Sequence, residues 1–389
     1  MIAISTQIVF PLLRRGYRRR IARGETIWLD DLSSPSPRQT LDGLPQVPAD
    51  ITPRPGKHRQ ARHMKAIYPA PKYPFAYRNP PVSGNVINGL GETKPRRAGF
   101  VFFGDGFRRA WGKLDWFYQV IEPSAVHRIF IRLFWRDRRR VGPVKRREPV
   151  PVDPAYGAVV VKEAAKKAGA SIVGITHLTE EMRYRGFDMP FRHAIAVGIP
   201  MDRESMLHTP SERSVLEIIS TYEKINAIAV ELAEYIRDLG WPARAATNIS
   251  PDASSEVLHL PVALAAGLGQ LGKHGSMITR EHGSNIRLAV VLTDMPLAVD
   301  QPVDFGVDDF CASCRICEQN CPPKALFPTK QMVRGVEKWY VNFDACVPYF
   351  VNADGCGICI EVCPWSEPGR GFVLAEKLRA RRKTERKSA

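Results

Sequence analysis

The chain has no cysteine before Cys311 and none after Cys363. Outside that stretch there is nothing from which a disulfide scaffold could be built. No apolar run is long enough to cross a bilayer. The best one, Ile2 to Leu13, has twelve residues, against the roughly 20 that a membrane helix needs. Arg14-Arg15 follows that run instead of preceding it, so the order of a twin-arginine export signal is missing and a cytoplasmic protein is expected. A phosphate-binding loop is missing too, because Lys273 is followed by His274 and the upstream glycine spacing fails. Acidic residues are the scarce charge, 40 against 56 Lys and Arg, for a net charge of +16. Residues 1–150 hold 29 basic and 11 acidic side chains, residues 151–310 hold 14 and 21, and residues 311–389 hold 13 and 8. The basic excess therefore lies outside the central region. It suits nucleic acid, an anionic membrane surface, an acidic partner or a merely solvated face, and charge alone does not choose among them.

What is present is concentrated between Cys311 and Pro364. Cys311, Cys314, Cys317 and Cys321 read C-x2-C-x2-C-x3-C-P, the run that ligates iron–sulfur clusters in bacterial two-cluster ferredoxins. Cys346, Cys356, Cys359 and Cys363 read C-x9-C-x2-C-x3-C-P, the same unit with its first thiolate pushed outward by a loop. Three closely spaced thiolates can wrap one face of a cubane, and a distant fourth closes it. In such pairs the fourth Cys of each run serves the other cluster. That assigns one [4Fe–4S] cluster to Cys311, Cys314, Cys317 and Cys363, and the second to Cys346, Cys356, Cys359 and Cys321. Disulfides and zinc are the competing readings, and two complete sets without a secretory signal weigh against both.

Ahead of the cysteines the organisation changes three times. Residues 1–95 are rich in Pro, Arg and Gly with little periodicity and read as extended or partly disordered chain, with wrapping of a folded body as one use for it. LDWFYQVIEP and AVHRIFIRLFW then read as two short amphipathic helices split by Pro123. They are expected to dock on the main domain, in preference to anchoring it at a membrane surface. From Asp153 onward, helical and strand-like runs alternate. A helix opens at PAYGAVVVKEAAKK, strands follow at SIVGIT and at His193–Ile199, and a long helix over 211–240 starts at a Ser211 cap and stops at Gly240. A strand at 243–248, a helix at 257–266, SMIT and IRLAVVLTD complete an α/β pattern whose strand order the sequence leaves open.

Gly267, Gly269 and Gly272 spell G-x-G-x-x-G, with Gly275 just beyond. A helix precedes them and a strand follows, the reverse of a dinucleotide-binding turn. Two readings stay open: a tight turn that a ligand or a neighbouring backbone approaches closely, and a helix stop joined to a hairpin.

The order LAEYIRDLGWPA, AAGLGQLGKHGSMIT and RLAVVLTDMPLAVDQPVDFGVDDFC, running into both cysteine sets and ending CGICIEVCPW, closely resembles the catalytic subunit of corrinoid-dependent reductive dehalogenases. More distantly it resembles the epoxyqueuosine reductases. The likeness covers about residues 153–366. It implies a nitroreductase-like α/β core holding a base-off cobalamin, with the glycine turn among the cofactor contacts, and two [4Fe–4S] clusters feeding the cobalt. The absence of a D-x-H-x-x-G cobalt-ligating motif is compatible with base-off binding. The resemblance further implies Tyr222 as proton donor, Asn248 in the same pocket, and Arg287 as the cation that tunes the phenol or holds halide.

The domains expected on this basis are a basic extension over 1–152, a corrinoid-binding domain over 153–300, a two-cluster ferredoxin-like domain over 301–370 and a basic tail over 371–389. The chain runs only 26 residues past Cys363, where the family commonly continues over the cofactor site. No reductase domain is fused within it, so a separate low-potential donor such as a ferredoxin, flavodoxin or reductase is expected. The small organohalide substrate would exchange halogen for hydrogen. Two other functions stay open: epoxyqueuosine-type tRNA modification, against which the position of the basic charge argues, and iron–sulfur electron transfer without corrinoid.

Overall fold

A computed structural model of the chain describes residues 83–99, 101, 124–247, 256–353 and 355–388. Most of the basic extension, the first of the two expected amphipathic helices and Asn248 lie outside the described residues. The elements in chain order are α1 (Gly84–Asn88), α2 (Ser124–Asp137), α3 (Pro154–Lys167), β1 (Ile172–His177), β2 (His193–Pro200), α4 (Arg203–Met206), α5 (Glu212–Asp238), β3 (Ala243–Ala246), α6 (His259–Ala265), β4 (Gln270–Leu271), β5 (Met277–Ile278) and β6 (Ile286–Thr293). The cysteine-bearing part follows as α7 (Val307–Ser313), α8 (Ile316–Gln319), β7 (Gln331–Val333), β8 (Val336–Lys338), α9 (Phe343–Asn352), α10 (Ile358–Glu361) and α11 (Arg370–Ser388).

Local chemistry sets the ends of the longest core helix. Ser211 and Ser214 form a reciprocal capping box at the start of α5, satisfying backbone donors that the first turn leaves orphaned. At the other end the chain turns through Gly240 at φ +87°, a left-handed conformation that favours glycine. The α3 helix begins with Asp153 accepting from the N–H groups of Ala155 and Tyr156, followed by Pro154 at its first position.

The expected alternation of helix and strand is present, and its strand order is now visible. Four strands form one sheet in the order β1-β2-β6-β3, and each neighbouring pair is antiparallel. Because side chains alternate across a strand, each central strand feeds two cores. Ile195, Val197 and Ile199 of β2 and Ala289 and Val291 of β6 pack with Val161 of α3 and Ile225, Ala229 and Leu232 of α5. Ala194, Ala196, Val290 and Leu292 point the other way, against Val262 and Ala263 of α6. The result is three layers, α3 and α5 over the sheet and α6 beneath it. Odd-numbered positions of β6 face α5, and Arg287 is one of them.

The α2 helix docks on α5, as the amphipathic pattern leads one to expect. Ile129 and Leu133 pack with Val215, Ile218 and Ile219, and Leu133 has no exposed surface. Complete burial of such a side chain is worth roughly 1.5–3 kcal/mol. Arg132 Nε adds a 2.7 Å bond to Glu223. No helix among the described residues is long and apolar enough to cross a membrane.

Residues 83–92 wrap the cysteine-bearing part. The Gly84 N–H donates to Asp344 at 2.7 Å, Asn85 Nδ2 donates to Asn342 at 2.8 Å, and the Gly91 N–H donates to the Met332 carbonyl at 2.8 Å. The expected basic tail is largely a helix, α11. Its Leu374 and Leu378 pack beside Val307, Cys311 and Trp365, while Arg382 reaches Asp304 and Asp309.

Candidate functional site

Short helices and turns present the eight thiols, all of which are unpaired. Cys311 lies in α7, Cys317 in α8, Cys346 in α9 and Cys359 in α10, with Cys314, Cys321, Cys356 and Cys363 in the intervening turns. Electrostatic repulsion identifies the neighbours. Cys311 feels Cys363 and Cys314, and Cys317 feels Cys359, Cys363, Cys314 and Cys311. Cys346 feels Cys321 and Cys356, and Cys356 feels Cys359 and Cys321. The structure thus brings Cys311, Cys314, Cys317 and Cys363 together, and Cys346, Cys356, Cys359 and Cys321 together. Cys317 also feels Cys359, so the two sets are neighbours.

Burial pushes these thiols up, Cys363 and Cys321 to about 11 and Cys311 to about 12. A thiol so placed stays protonated at neutral pH unless a metal cation takes the proton's place. Backbone N–H groups are nonetheless aimed at the sulfurs. The Ala325 N–H donates to Cys321 at 3.3 Å, and the backbone amides of Ile316, Ile358 and Lys273 favour the thiolate forms of Cys314, Cys356 and Cys311. Donors converging on buried sulfurs suit ligands that carry negative charge, as iron–sulfur thiolates do.

Three further residues at this site escape a reading of the cysteine motif. Lys273 is 2 % exposed, its ammonium 3.6 Å from Glu318 and 5.0 Å from the Trp339 ring centre. His274 is buried and its Nε2 lies 2.7 Å from Ser284 Oγ. The Ser284 N–H donates to Ser366 Oγ at 3.2 Å, three residues past Cys363. The signal available for Lys273 and His274 was a basic pair inside a glycine-rich turn.

That turn is a hairpin: β4 pairs with β5, Gln270 opposite Ile278 and Leu271 opposite Met277. Its glycines make room for protein. A Cβ on Gly267 would collide with the Gln301 carbonyl and one on Gly269 with the Ile278 carbonyl. On Gly272 it would lie 2.7 Å from Ile278 Cδ1, and on Gly275, whose φ is +76°, 3.0 Å from Val341.

Tyr222 and Arg287 meet between α5 and the sheet. The Arg287 guanidinium carbon stands 5.1 Å from the Tyr222 ring centre, within cation–π range. Its position follows from the β6 parity described above, with Ile199 as its β2 partner. Arg287 Nη1 makes one long bond, 3.4 Å to the Ile286 carbonyl. Its Nε is buried without a partner. A half-buried cation with an unmet donor beside a phenol is a natural receptor for an anion or an anionic edge of a cofactor. The same strand leads toward the cysteines: three residues before Arg287, the Ser284 N–H donates to Ser366, three residues past Cys363.

Residues 310–366 match the 4Fe-4S dicluster domain family. The tetrachloroethene reductive dehalogenase of Sulfurospirillum multivorans is 27 % identical over 325 residues, which are 71 % of this chain and 64 % of that protein. The solved structure of a catabolic reductive dehalogenase, NpRdhA, superposes with a TM-score of 0.59 at 27 % identity, covering 66 % of this chain and 40 % of that one. A second solved reductive dehalogenase, described as suggesting a mechanism for B12-dependent dehalogenation, gives 0.55 at 27 % identity, covering 68 % and 38 %. The epoxyqueuosine reductase of Escherichia coli is 33 % identical over 130 residues, 29 % of this chain and 31 % of that one. The chain is therefore similar to reductive dehalogenases in sequence and fold, and spans less than two thirds of the relatives' own length.

Proposed function

We propose that this chain, a relative of the reductive dehalogenases carrying a 4Fe-4S dicluster domain, is a cytoplasmic corrinoid and iron–sulfur oxidoreductase that replaces halogen by hydrogen on a small organohalide. The observation that carries the reading is the Tyr222–Arg287 pair, with its unmet guanidinium donor, on the strand whose approach is bonded to Ser366, three residues past Cys363. In this reading residues 153–300 form a nitroreductase-like corrinoid-binding domain, and residues 301–370 hold the clusters.

The residue chemistry fits the group. Arg287 offers a cation and an unmet N–H on the α5 face of the sheet, and Tyr222 offers a phenol beside it. We assign cofactor contact to this pair, and a packing role to Gly267, Gly269 and Gly272. When bound, the corrinoid supplies low-valent cobalt chemistry for cleaving the carbon–halogen bond. The net change is R–X plus two electrons and one proton giving R–H and X⁻. Electrons would come from a separate low-potential donor protein, and the two cysteine sets would hold the clusters that supply one-electron chemistry. Tyr222 Oη donates the proton to the carbon that loses halogen, and Arg287 orients that phenol and pairs with the departing halide. Asn248, outside the described residues, stays a candidate only by its place in the motif order.

Halide release tests the reading. Cobalamin-loaded protein is supplied with bromophenols and chloroalkenes and a low-potential chemical reductant, which replaces the donor. Release that needs both cobalamin and reductant is expected. If no substrate yields halide while cobalamin is retained, another corrinoid-dependent reduction replaces this one, epoxyqueuosine reduction being the first to try.

A further inference from the structure

The α11 helix rests on the first cysteine set by a narrow apolar stripe. Leu374 and Leu378 pack with Val307, Cys311, Cys363 and Trp365. A Cβ on Gly306, at the turn into α7, would lie 2.9 Å from Leu378. Gly371 fits so closely against Arg280 that a Cβ there would stand 2.3 Å from the Arg280 carbonyl. Beside the helix the half-buried Phe305 ring lies 5.5 Å from the ring centre of Trp365. A single layer of side chains therefore separates the outer surface of α11 from Cys311 and Cys363.

That outer surface is both apolar and basic. Phe372 and Val373 are each 52 % exposed. Arg370 to Ser388 include eight Lys and Arg against two Glu. Arg382 is engaged by Asp304 and Asp309, and Arg379 and Arg381 stand beside Glu376 and Glu385. Lys377 and Lys383 are exposed and make no ion pair among the described residues. Arg280 adds a further cation where the helix begins, 5.9 Å from the Phe305 ring centre. An aromatic and aliphatic centre with a charged rim is the make-up of a protein interface. Phosphate neutralisation by a nucleic acid would use the cations and leave Phe372 and Val373 without a purpose.

We propose that the outer face of α11, centred on Phe372 and Val373, is the docking surface for a small acidic electron-transfer protein of the flavodoxin or ferredoxin class. Charge selects an acidic partner, because the uncommitted cations on this face speed and orient encounter with carboxylates. Position selects a redox partner, because a protein seated here stands one side-chain layer from Cys311 and Cys363. Each productive encounter oxidises the donor by one electron and reduces the iron–sulfur centre behind α11 by one, with no atom transferred. The inference rests on the separate donor of the proposed function and gives that donor a place on the chain.

Binding kinetics on anaerobically reconstituted full-length protein decide it, with an acidic flavodoxin and an acidic two-cluster ferredoxin as probes at low and at physiological salt. Wild-type association should weaken steeply with salt. Lys377→Glu with Lys383→Glu should slow association about tenfold and flatten that salt dependence. Phe372→Ala should act on dissociation, speeding it about tenfold, as loss of a central anchor does. Reduction by either donor, read as bleaching of the visible absorption, should slow in parallel. Reduction by a small chemical reductant, and iron and sulfide content, should stay at wild-type values. If the Glu pair loses iron, Lys377→Gln with Lys383→Gln decides: slower association at low salt supports the surface, and wild-type association overturns it. The inference also fails if neither donor binds the wild type, or if the charge-reversed protein binds and is reduced as the wild type is. Binding of phosphatidylglycerol vesicles or of transfer RNA through these lysines, in place of donor binding, overturns it as well. Halide release with a chemical reductant but no docking at α11 would refute this inference alone. Docking at α11 by a protein that releases no halide would refute the substrate reading alone.

Discussion

Replacing Arg287 by Met separates a residue kept for stability from one kept for chemistry. The guanidinium stands over the Tyr222 ring at 5.1 Å. A cation–π contact contributes about 0.5–1 kcal/mol when exposed and about 2 when desolvated. Against this, Arg287 Nε is buried without a partner, and an unmet buried donor costs about 1–3 kcal/mol. Met keeps most of the apolar stem packed between α5 and β6. The two terms nearly cancel, so the thermal midpoint of Arg287→Met should equal or slightly exceed that of the wild type. Halide release, by contrast, should fall by at least about tenfold, since a charge-assisted contact to the departing anion is lost. Iodide titrated into the wild type should raise its thermal midpoint by mass action, and should leave the Met variant unmoved. Differential scanning fluorimetry and a halide assay on the same preparations suffice. A destabilisation of more than about 2 kcal/mol would refute the reasoning, because it would mean the guanidinium is bonded into the fold and not available to a ligand.

Tyr222→Phe should keep both clusters and corrinoid while turnover drops by about a hundredfold to ten-thousandfold, the usual worth of a general acid. Wild-type turnover at full cobalt loading would reassign the donor. His274 is held at about 4 in the folded protein against an ordinary 6.5, so between those values the unfolded chain binds the extra proton. Its contribution is present above pH 6.5 and lost as pH falls toward 4, by up to about 3 kcal/mol. The thermal midpoint of His274→Gln should accordingly fall less over that window. Gly283→Ala puts a Cβ into the Trp365 carbonyl at a φ of +55°, and should cost several kcal/mol, about the upper end for a point substitution, with loss of cluster visible in the absorption spectrum. Cys363→Ser should damage the cluster held by Cys311, Cys314 and Cys317 and spare the one at Cys346, which Mössbauer or EPR resolves.

What could be read from the sequence is what local chemistry enforces. Cysteine spacing marks the ligand sets, because three thiols on one short turn have few other uses. Ser211 and Gly240 bracket α5, because a cap and a left-handed stop act within a turn of the helix. Resemblance singled out Tyr222 and Arg287, but only strand parity explains why Arg287 faces α5. Tertiary contact decided the rest. The glycine turn left a close approach and a hairpin stop as equal candidates, and in the fold the Gln301 and Ile278 carbonyls occupy the space beside Gly267 and Gly269. The basic end of the chain looked like a tail because its charges dominate. Leu374 and Leu378 nonetheless give α11 an apolar contact with the Cys311 shell. Ser284 could not be found at all from spacing, since its partner Ser366 belongs to a different segment and meets it through the clasp at Gly283.

Metal analysis of anaerobically reconstituted protein, after removal of free cobalamin, tests the central claim most directly. The account predicts about eight iron, about eight sulfide and about one cobalt per chain, as two cubanes and one corrinoid require. Full iron and sulfide with no retained cobalt would contradict it, and would leave an electron-transfer protein built on a dehalogenase fold.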